Sequence, residues 1–369
     1  MTTMDTLTAL AELPDTRLST EELQLARQAA AQPAPALTDA QRSALIRQTI
    51  MREGDRLRAA HPWLLQQDRI GAGILAVAVA GMLLNVWSYA QGWQPVWVTV
   101  LAAAFCASIT HELEHDLIHS MYFRKLPWAH NLMLALVWLA RPSTINPWVR
   151  RKLHLDHHKF SGTHKDLEER GITNGDSWGL RRVLMVGDNA MSILLRAASL
   201  KDPALRKRLL GRGFLAYSPL GVMHWASWYA FLALHAGNAL ATLNGQASPW
   251  SASTLSFLHL LDFAVVVWLG PNVLRTFCLH FVSSNMHYFG DVEEGNLMQQ
   301  CQVLTPWWML PLQLFCFNFG STHAIHHFVV RDPFYLRQLT APVAHRVMRE
   351  MGVRFNDLGT FGRANRRMA

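Results

Sequence analysis

From Arg69 to Arg124, and again from Arg212 to Arg275, this 369-residue chain carries no lysine or arginine. These two stretches hold its most apolar sequence. A helix needs about 20 apolar residues to cross the hydrocarbon of a bilayer. In lipid each backbone group must be satisfied within its own segment, which selects helices. Gly71–Ala90, Phe214–Ala236 and Thr254–Leu274 meet that length. Pro95–Thr110 stops at His111, so its helix is expected to run on and to carry the following histidines at the membrane edge. Asn131–Ala140 and Trp307–Gly320 are too short to cross. The expected fold class is therefore all-α: an integral membrane protein with four transmembrane helices in two hairpins.

Composition agrees. Only 16 % of residues are charged, against about 25 % in soluble domains. Fourteen tryptophans suit a membrane interface. The net charge of +8 does not point to nucleic acid, because the cations are segregated rather than interleaved with aromatics. They lie in the N-terminal arm, in residues 124–212 and after Arg275, while the hairpin loops Gln91–Gln94 and Gly237–Ser253 have none. The positive-inside rule then places both termini and every histidine cluster in the cytoplasm. The polar start, "MTTMDTLTALAELPDTRLSTEELQ", has no basic segment leading into an apolar core, so no cleaved signal peptide is expected. Cys106, Cys278, Cys301 and Cys316 form no CxxC pair and read as buried thiols.

The histidines carry the chemistry. "HELEHDLIH" places His111, His115 and His119 on one helix face, spread over ~12 Å of rise. "HLDHH" supplies His154, His157 and His158, and "HAIHH" supplies His323, His326 and His327; His280 and His287 follow the last span. In HxxHH the adjacent pair diverges by ~100° on a helix, so its members can face two different metals. A catalytic zinc takes three protein ligands and a water, far fewer than are present. Two irons with four or five imidazoles each would use them. Such a centre can oxidise an unactivated C–H bond, which no side chain can.

Two other classes fit parts of the pattern. His111, Glu112 and His115 form an HExxH motif, as in a membrane zinc protease with glutamate as general base, but that leaves both HxxHH groups idle. A metal transporter would want ligands deep in the spans, where only His224, His259 and Asp262 lie. Asp116 and Glu112 are candidates for orienting a ligand histidine. Arg150, Arg151 and Lys152 fit either an anionic head group or the interface. Asp262 and Arg275 are charges within or beside a span, functional by default.

HDxxHxxxF ("HDLIHSMYF", His115–Phe123), "HLDHH" and "HAIHH", in that order with paired spans between, resemble the membrane fatty acid desaturase and hydroxylase superfamily over roughly residues 70–335. The resemblance implies four spans under a cytoplasmic helical cap that holds a histidine-ligated di-iron centre. It implies O2 as co-substrate and a fatty acyl chain as substrate. Carried over by position, His115, His119, His154, His157, His158, His323, His326 and His327 are ligands, with His287, or its competitor His280, as the extra one and His111 as an addition. Ser283 stands where some desaturases have an asparagine. With no HPGG haem segment, the electrons are expected from a separate ferredoxin, rubredoxin or similar carrier. Desaturation is the leading activity, with hydroxylation as an alternative. "SSNMHYFGDVEEG" and "STHAIHHFVVRDPFYLRQL" also resemble a bacterial subgroup that decarboxylates free medium-chain fatty acids to terminal 1-alkenes, which suggests the bacterial inner membrane. The domain expectation is a polar, partly helical arm over 1–68, a catalytic domain over 69–335 and a basic tail over 336–369 that ends in "RANRRMA".

Overall fold

A computed structural model describes residues 37–172 and 175–368. The chain divides into two compact units, Met1–Thr38 and Asp39–Ala369. The first lies almost wholly outside the described residues, and the second is the main body.

That body is helical, with two isolated bridges, His287–Cys301 and Val303–Phe355, and no strand among the described residues. Its principal helices are α1 (Asp39–Ala60), α2 (Gln67–Ala90), α3 (Val96–Ile118), α4 (Pro127–Ala140), α5 (Pro147–Phe160), α6 (Leu180–Gly187), α7 (Asn189–Ala198), α8 (Pro203–Tyr217), α9 (Leu220–Leu243), α10 (Ala252–Ala264), α11 (Gly270–Met286), α12 (Phe319–Phe328) and α13 (Phe334–Glu350). One wide π turn, Val265–Leu269, joins α10 to α11 into a continuous rod.

Three segments are long and apolar enough to cross a membrane: α2, α3 and the α10–α11 rod. The fourth expected span falls short. Phe214–Tyr217 closes α8, and the 24-residue helix that follows, α9, has its apolar run broken by His224, His235 and Asn238. Those polar side chains lower its hydropathy although its length suffices. The 35-residue rod Ala252–Met286 is ~50 Å long, well beyond the ~30 Å of hydrocarbon, so one end must stand outside it. Asp262 accepts a hydrogen bond from His235 of α9 at 2.7 Å, not from His259 in its own helix.

Burial along α3 changes character at Thr110. Upstream the helix is partly exposed, but every residue from Thr110 to Ile118 is buried, including His111, Glu112, Glu114, His115 and Asp116. Five ionisable side chains on an all-round buried helix end require partners from every side. α2 and α4 supply one wall, where Leu75, Leu113, Leu117, Tyr122, Met133, Leu134 and Val137 pack together. The other wall is a larger core in which Ile46 and Ile50 of α1 meet Val282 and Met286 of α11, Ile325 and Phe328 of α12, and Ala344 and Met348 of α13.

The arm and tail are therefore not appendages throughout. From Asp39 on, α1 lies in the core, with Arg58 paired to Asp332 at 2.7 Å. In the C-terminal "RANRRMA", Asn365 is fully buried and donates to the backbone carbonyls of Ser284 and His287. A short polar side chain that caps the exposed carbonyls of α11 reads in sequence like any other member of a charged tail.

Gly162 closes α5. It adopts φ +81°, a region glycine enters without the cost a side chain incurs. A Cβ there would also come within 3.0 Å of the Tyr288 carbonyl and 2.9 Å of Val292. The Gly290 N–H donates to the Gly162 carbonyl at 2.7 Å, so this contact fastens the second histidine helix to the segment that follows His287. Gly162→Ala should lower stability by about 1–3 kcal/mol. Thermal unfolding in detergent, with metal content measured alongside, checks this.

Candidate metal centre

Two groups of imidazoles form at the buried end of α3. The first joins His115 and His119 from α3 and its cap, His154 and His158 from α5, and His326 from α12. The second joins His157 from α5, His287 at the end of α11, and His323 and His327 from α12. Each HxxHH helix thus splits its adjacent pair: His158 and His326 turn to the first group, His157 and His327 to the second. That is the ~100° step per residue of an α-helix put to use. α5 is started by Pro147 with the Asn146 side chain accepting from the Trp148 N–H, and its register brings His154 and His158 onto one face.

In the first group the Nε2 atoms of His119 and His154 lie 3.0 Å apart, His119 and His158 3.2 Å, and His154 and His158 3.1 Å. His326 Nε2 is 3.1 Å from that of His119 and 2.9 Å from that of His158. A neutral imidazole has one N–H to give, so rings converging in this way cannot all satisfy one another. The spacing is close to the ~3 Å edge between adjacent ligands at ~2.1 Å from a common cation. In the second group, His157 Nε2 and His287 Nε2 are buried with no protein partner, and His323 and His327 approach at 3.4 Å between Nε2 atoms. Orphaned, inward-facing ring nitrogens fit a metal in each group.

Four of the outward nitrogens are held. His157 Nδ1 meets Asp166 Oδ2 at 2.8 Å, and His154 Nδ1 meets Glu168 Oε2 at 2.7 Å. His327 Nδ1 meets Gln300 Oε1 at 2.9 Å, and His287 Nδ1 donates to the Ser283 carbonyl at 3.0 Å. Each bond keeps the proton on Nδ1 and aims the Nε2 lone pair inward, the arrangement that orients metal-binding histidines. Sequence reasoning missed Asp166, Glu168 and Gln300. For the two carboxylates the available signal was "HKDLEER", just after "HLDHH". The sequence candidates for the same task do other work. Asp116 is 3.8 Å from His115 Nδ1, beyond hydrogen-bond reach. It accepts instead from Arg337 at 2.9 Å, and from Tyr122 OH and the Phe334 N–H at 2.8 Å each. Glu112 faces Arg337 at 3.5 Å.

His111 and His280 fall in neither group. His111 contacts Arg141 Nη1 at 3.4 Å, and His280 Nδ1 donates to the Val186 carbonyl at 3.2 Å. Both line a cavity of about 120 Å³ beside the two groups, bordered also by Arg150, Arg275, His154, His157 and His323. His164 is exposed and packs on Phe289. Arg150 bridges Glu114 at 3.3 Å and Glu168 at 2.9 Å, so it serves the histidine framework.

Electrostatics separates the rings. Burial, reinforced by neighbouring imidazoles, pushes His323, His326 and His327 well below the ordinary histidine value and His119 to about 2. They stay neutral, as ligands must. His157 differs: burial opposes its charge, but Asp166 and the glutamates beside it raise it to about 9. Glu168 resists the upward push of burial and is held well below the usual carboxylate range by His154 and Arg150.

In the metal-stripped protein, a raised His157 stabilises the fold fully below about 6.5 and loses that contribution as pH rises through about 9. Thermal unfolding of stripped wild type and Asp166→Asn should show a gap at pH 6 that narrows by pH 10. A gap independent of pH would contradict the pairing. With metal supplied, Asp166→Asn and Glu168→Gln should each weaken metal affinity by ~10–100-fold, read by competition with a chelator.

A family model described as fatty acid desaturase matches residues 91–359. This interval runs from the end of α2 to beyond α13 and contains all nine grouped histidines. A search of curated proteins gives no match.

Proposed function

The chain belongs to the fatty acid desaturase family, and from that premise we propose that it is a membrane di-iron oxidoreductase that desaturates a fatty acyl chain. The observation that carries this reading is the pair of inward-facing imidazole groups, four of whose rings are held from outside. Family membership supports fatty acyl oxidation in general; the particular reaction and the metal are the proposal. The ligands would be His115, His119, His154, His158 and His326 for one iron, and His157, His287, His323 and His327 for the other. When bound, the irons supply the O2-dependent oxidising power that removes hydrogen from an unactivated carbon chain. Overall, two hydrogens leave adjacent carbons, and O2 takes them up with two carrier electrons and two protons to give two waters.

The protein's own groups do the rest. Asp166, Glu168, Gln300 and the Ser283 carbonyl fix ring orientation. Asp116 and Arg337 tie α3 to the start of α13 and hold the first box in place. An open polar basin of about 510 Å³ reaches His119 between Arg124, Arg151 and Arg331. Its charge suits an acidic electron carrier such as a ferredoxin or rubredoxin. We place this face and both termini in the cytoplasm by the positive-inside rule, with α9 as the fourth span. On this reading residues 69–335 form the catalytic domain, braced by α1 and α13.

Purified protein in lipid nanodiscs, supplied with deuterated fatty acids, O2 and a ferredoxin system, tests the reaction. Gas chromatography with mass spectrometry should find unchanged chain length and one new double bond, and His119→Ala should abolish it. A volatile terminal alkene one carbon shorter would replace desaturation by oxidative decarboxylation. A hydroxylated chain would make the protein a hydroxylase.

A further inference from the structure

Helix α8, Pro203–Tyr217, carries four cations, Arg206, Lys207, Arg208 and Arg212, and no acid. One side of it packs on the protein. Leu210 and Tyr217 lie against the cluster of Ala190, Ile193 and Trp225, and the Phe214 ring meets Trp225 edge-on at 5.3 Å. A Cβ on Gly213 would come within 3.0 Å of the Ile193 side chain. These positions recur every three or four residues, which fixes the packed side of the helix.

The opposite side is a stripe of Leu205, Arg208, Arg212 and Leu215, spaced in the same helical way. All four are exposed, Leu205 by 47 % and Leu215 by 74 %. The side chains of Lys207, Arg208 and Arg212 make no hydrogen bond or ion pair among the described residues. The nearest acid in sequence, Asp202, caps the helix by accepting from the Ala204 N–H at 2.8 Å, and no other follows until Asp262. α9 begins at Leu220, directly after α8 ends. With α9 in the bilayer, α8 stands where a span meets the cytoplasmic leaflet.

Water suits the arginines of this stripe but not its leucines. An acidic protein would answer the charge and has no need of a leucine at each end. The headgroup region of an anionic bilayer meets both, because leucines enter the acyl boundary while arginine stems lie along it and their guanidiniums reach phosphate. We propose that the outward side of α8 docks on anionic phospholipid, with Arg208 and Arg212 taking headgroup phosphates. This goes beyond the acyl chemistry and depends only on the placement of α9 in the membrane. Docking there bears on the histidines: the Asn146 N–H, at the cap of α5, donates to the Ala216 carbonyl of α8 at 2.9 Å. A lipid that fixes α8 thus steadies the start of α5.

The test is hydrogen exchange, read by mass spectrometry, of the whole chain in nanodiscs of phosphatidylcholine, alone or with a third of it replaced by phosphatidylglycerol. Amides of residues 203–217 should exchange at least ~10-fold more slowly in the anionic discs, and those of α1 equally in both. Arg208→Gln with Arg212→Gln should abolish the difference. Leu205→Ser with Leu215→Ser should speed exchange of α8 in the anionic discs. Arg47→Gln with Arg52→Gln, the same loss of exposed charge from α1, should leave the difference intact. The proposal is overturned if wild-type α8 exchanges alike in both discs, if the α1 variant loses the difference as the α8 variant does, or if the leucine variant is protected as wild type is. It is overturned equally if inorganic phosphate, or an acidic ferredoxin, protects α8 in phosphatidylcholine discs as phosphatidylglycerol does. The wild-type comparison decides alone should a variant fail to fold.

Discussion

Nine imidazoles are drawn into the interior with their lone pairs facing inward, and almost everything around them serves to make that possible. Uncharged rings in contact do not repel as ions would, yet each buried nitrogen without a partner forfeits the hydrogen bonds it had in water. The outer nitrogens of His157, His154, His327 and His287 recover theirs from Asp166, Glu168, Gln300 and the Ser283 carbonyl. The inner ones converge on one another and cannot all be satisfied by single N–H groups, which a cation in each group would resolve. A cation bound in each group would therefore add its binding free energy to that of folding.

The helices are arranged around this requirement. α3 brings the first box out of its apolar run into full burial, and α5 and α12 add theirs from the sides. α11 adds His287 where the helix ends. A second framework of buried charges keeps these helices in register: Arg141–Glu114–Arg150–Glu168 on one flank, Arg337–Asp116 with Tyr122 on the other. Such pairs give little net stability against apolar alternatives. Their use here is geometric, because losing one partner would leave a charge stranded beside the metal-facing rings.

Much of this was legible in the sequence. The gaps in lysine and arginine located the apolar helices α2, α3 and the α10–α11 rod. HxxHH spacing anticipated the split of neighbouring histidines, because helix geometry alone sets the ~100° step. What failed was any inference from adjacency. Asp116 follows His115 directly, but that same step turns its carboxylate away, toward Arg337. The carboxylates that do hold rings sit in an ordinary-looking charged turn and reach them only because the chain reverses at Gly162. α9 has the length expected of a span, but His224 and His235 keep its hydropathy below that of the three more apolar segments.

The most direct test of the account is anomalous diffraction from crystals of the purified protein at the iron and zinc edges. Two iron peaks per chain are predicted, one within His115, His119, His154, His158 and His326, the other within His157, His287, His323 and His327. A single peak, a zinc signal alone, or a metal bound at His111 would contradict it.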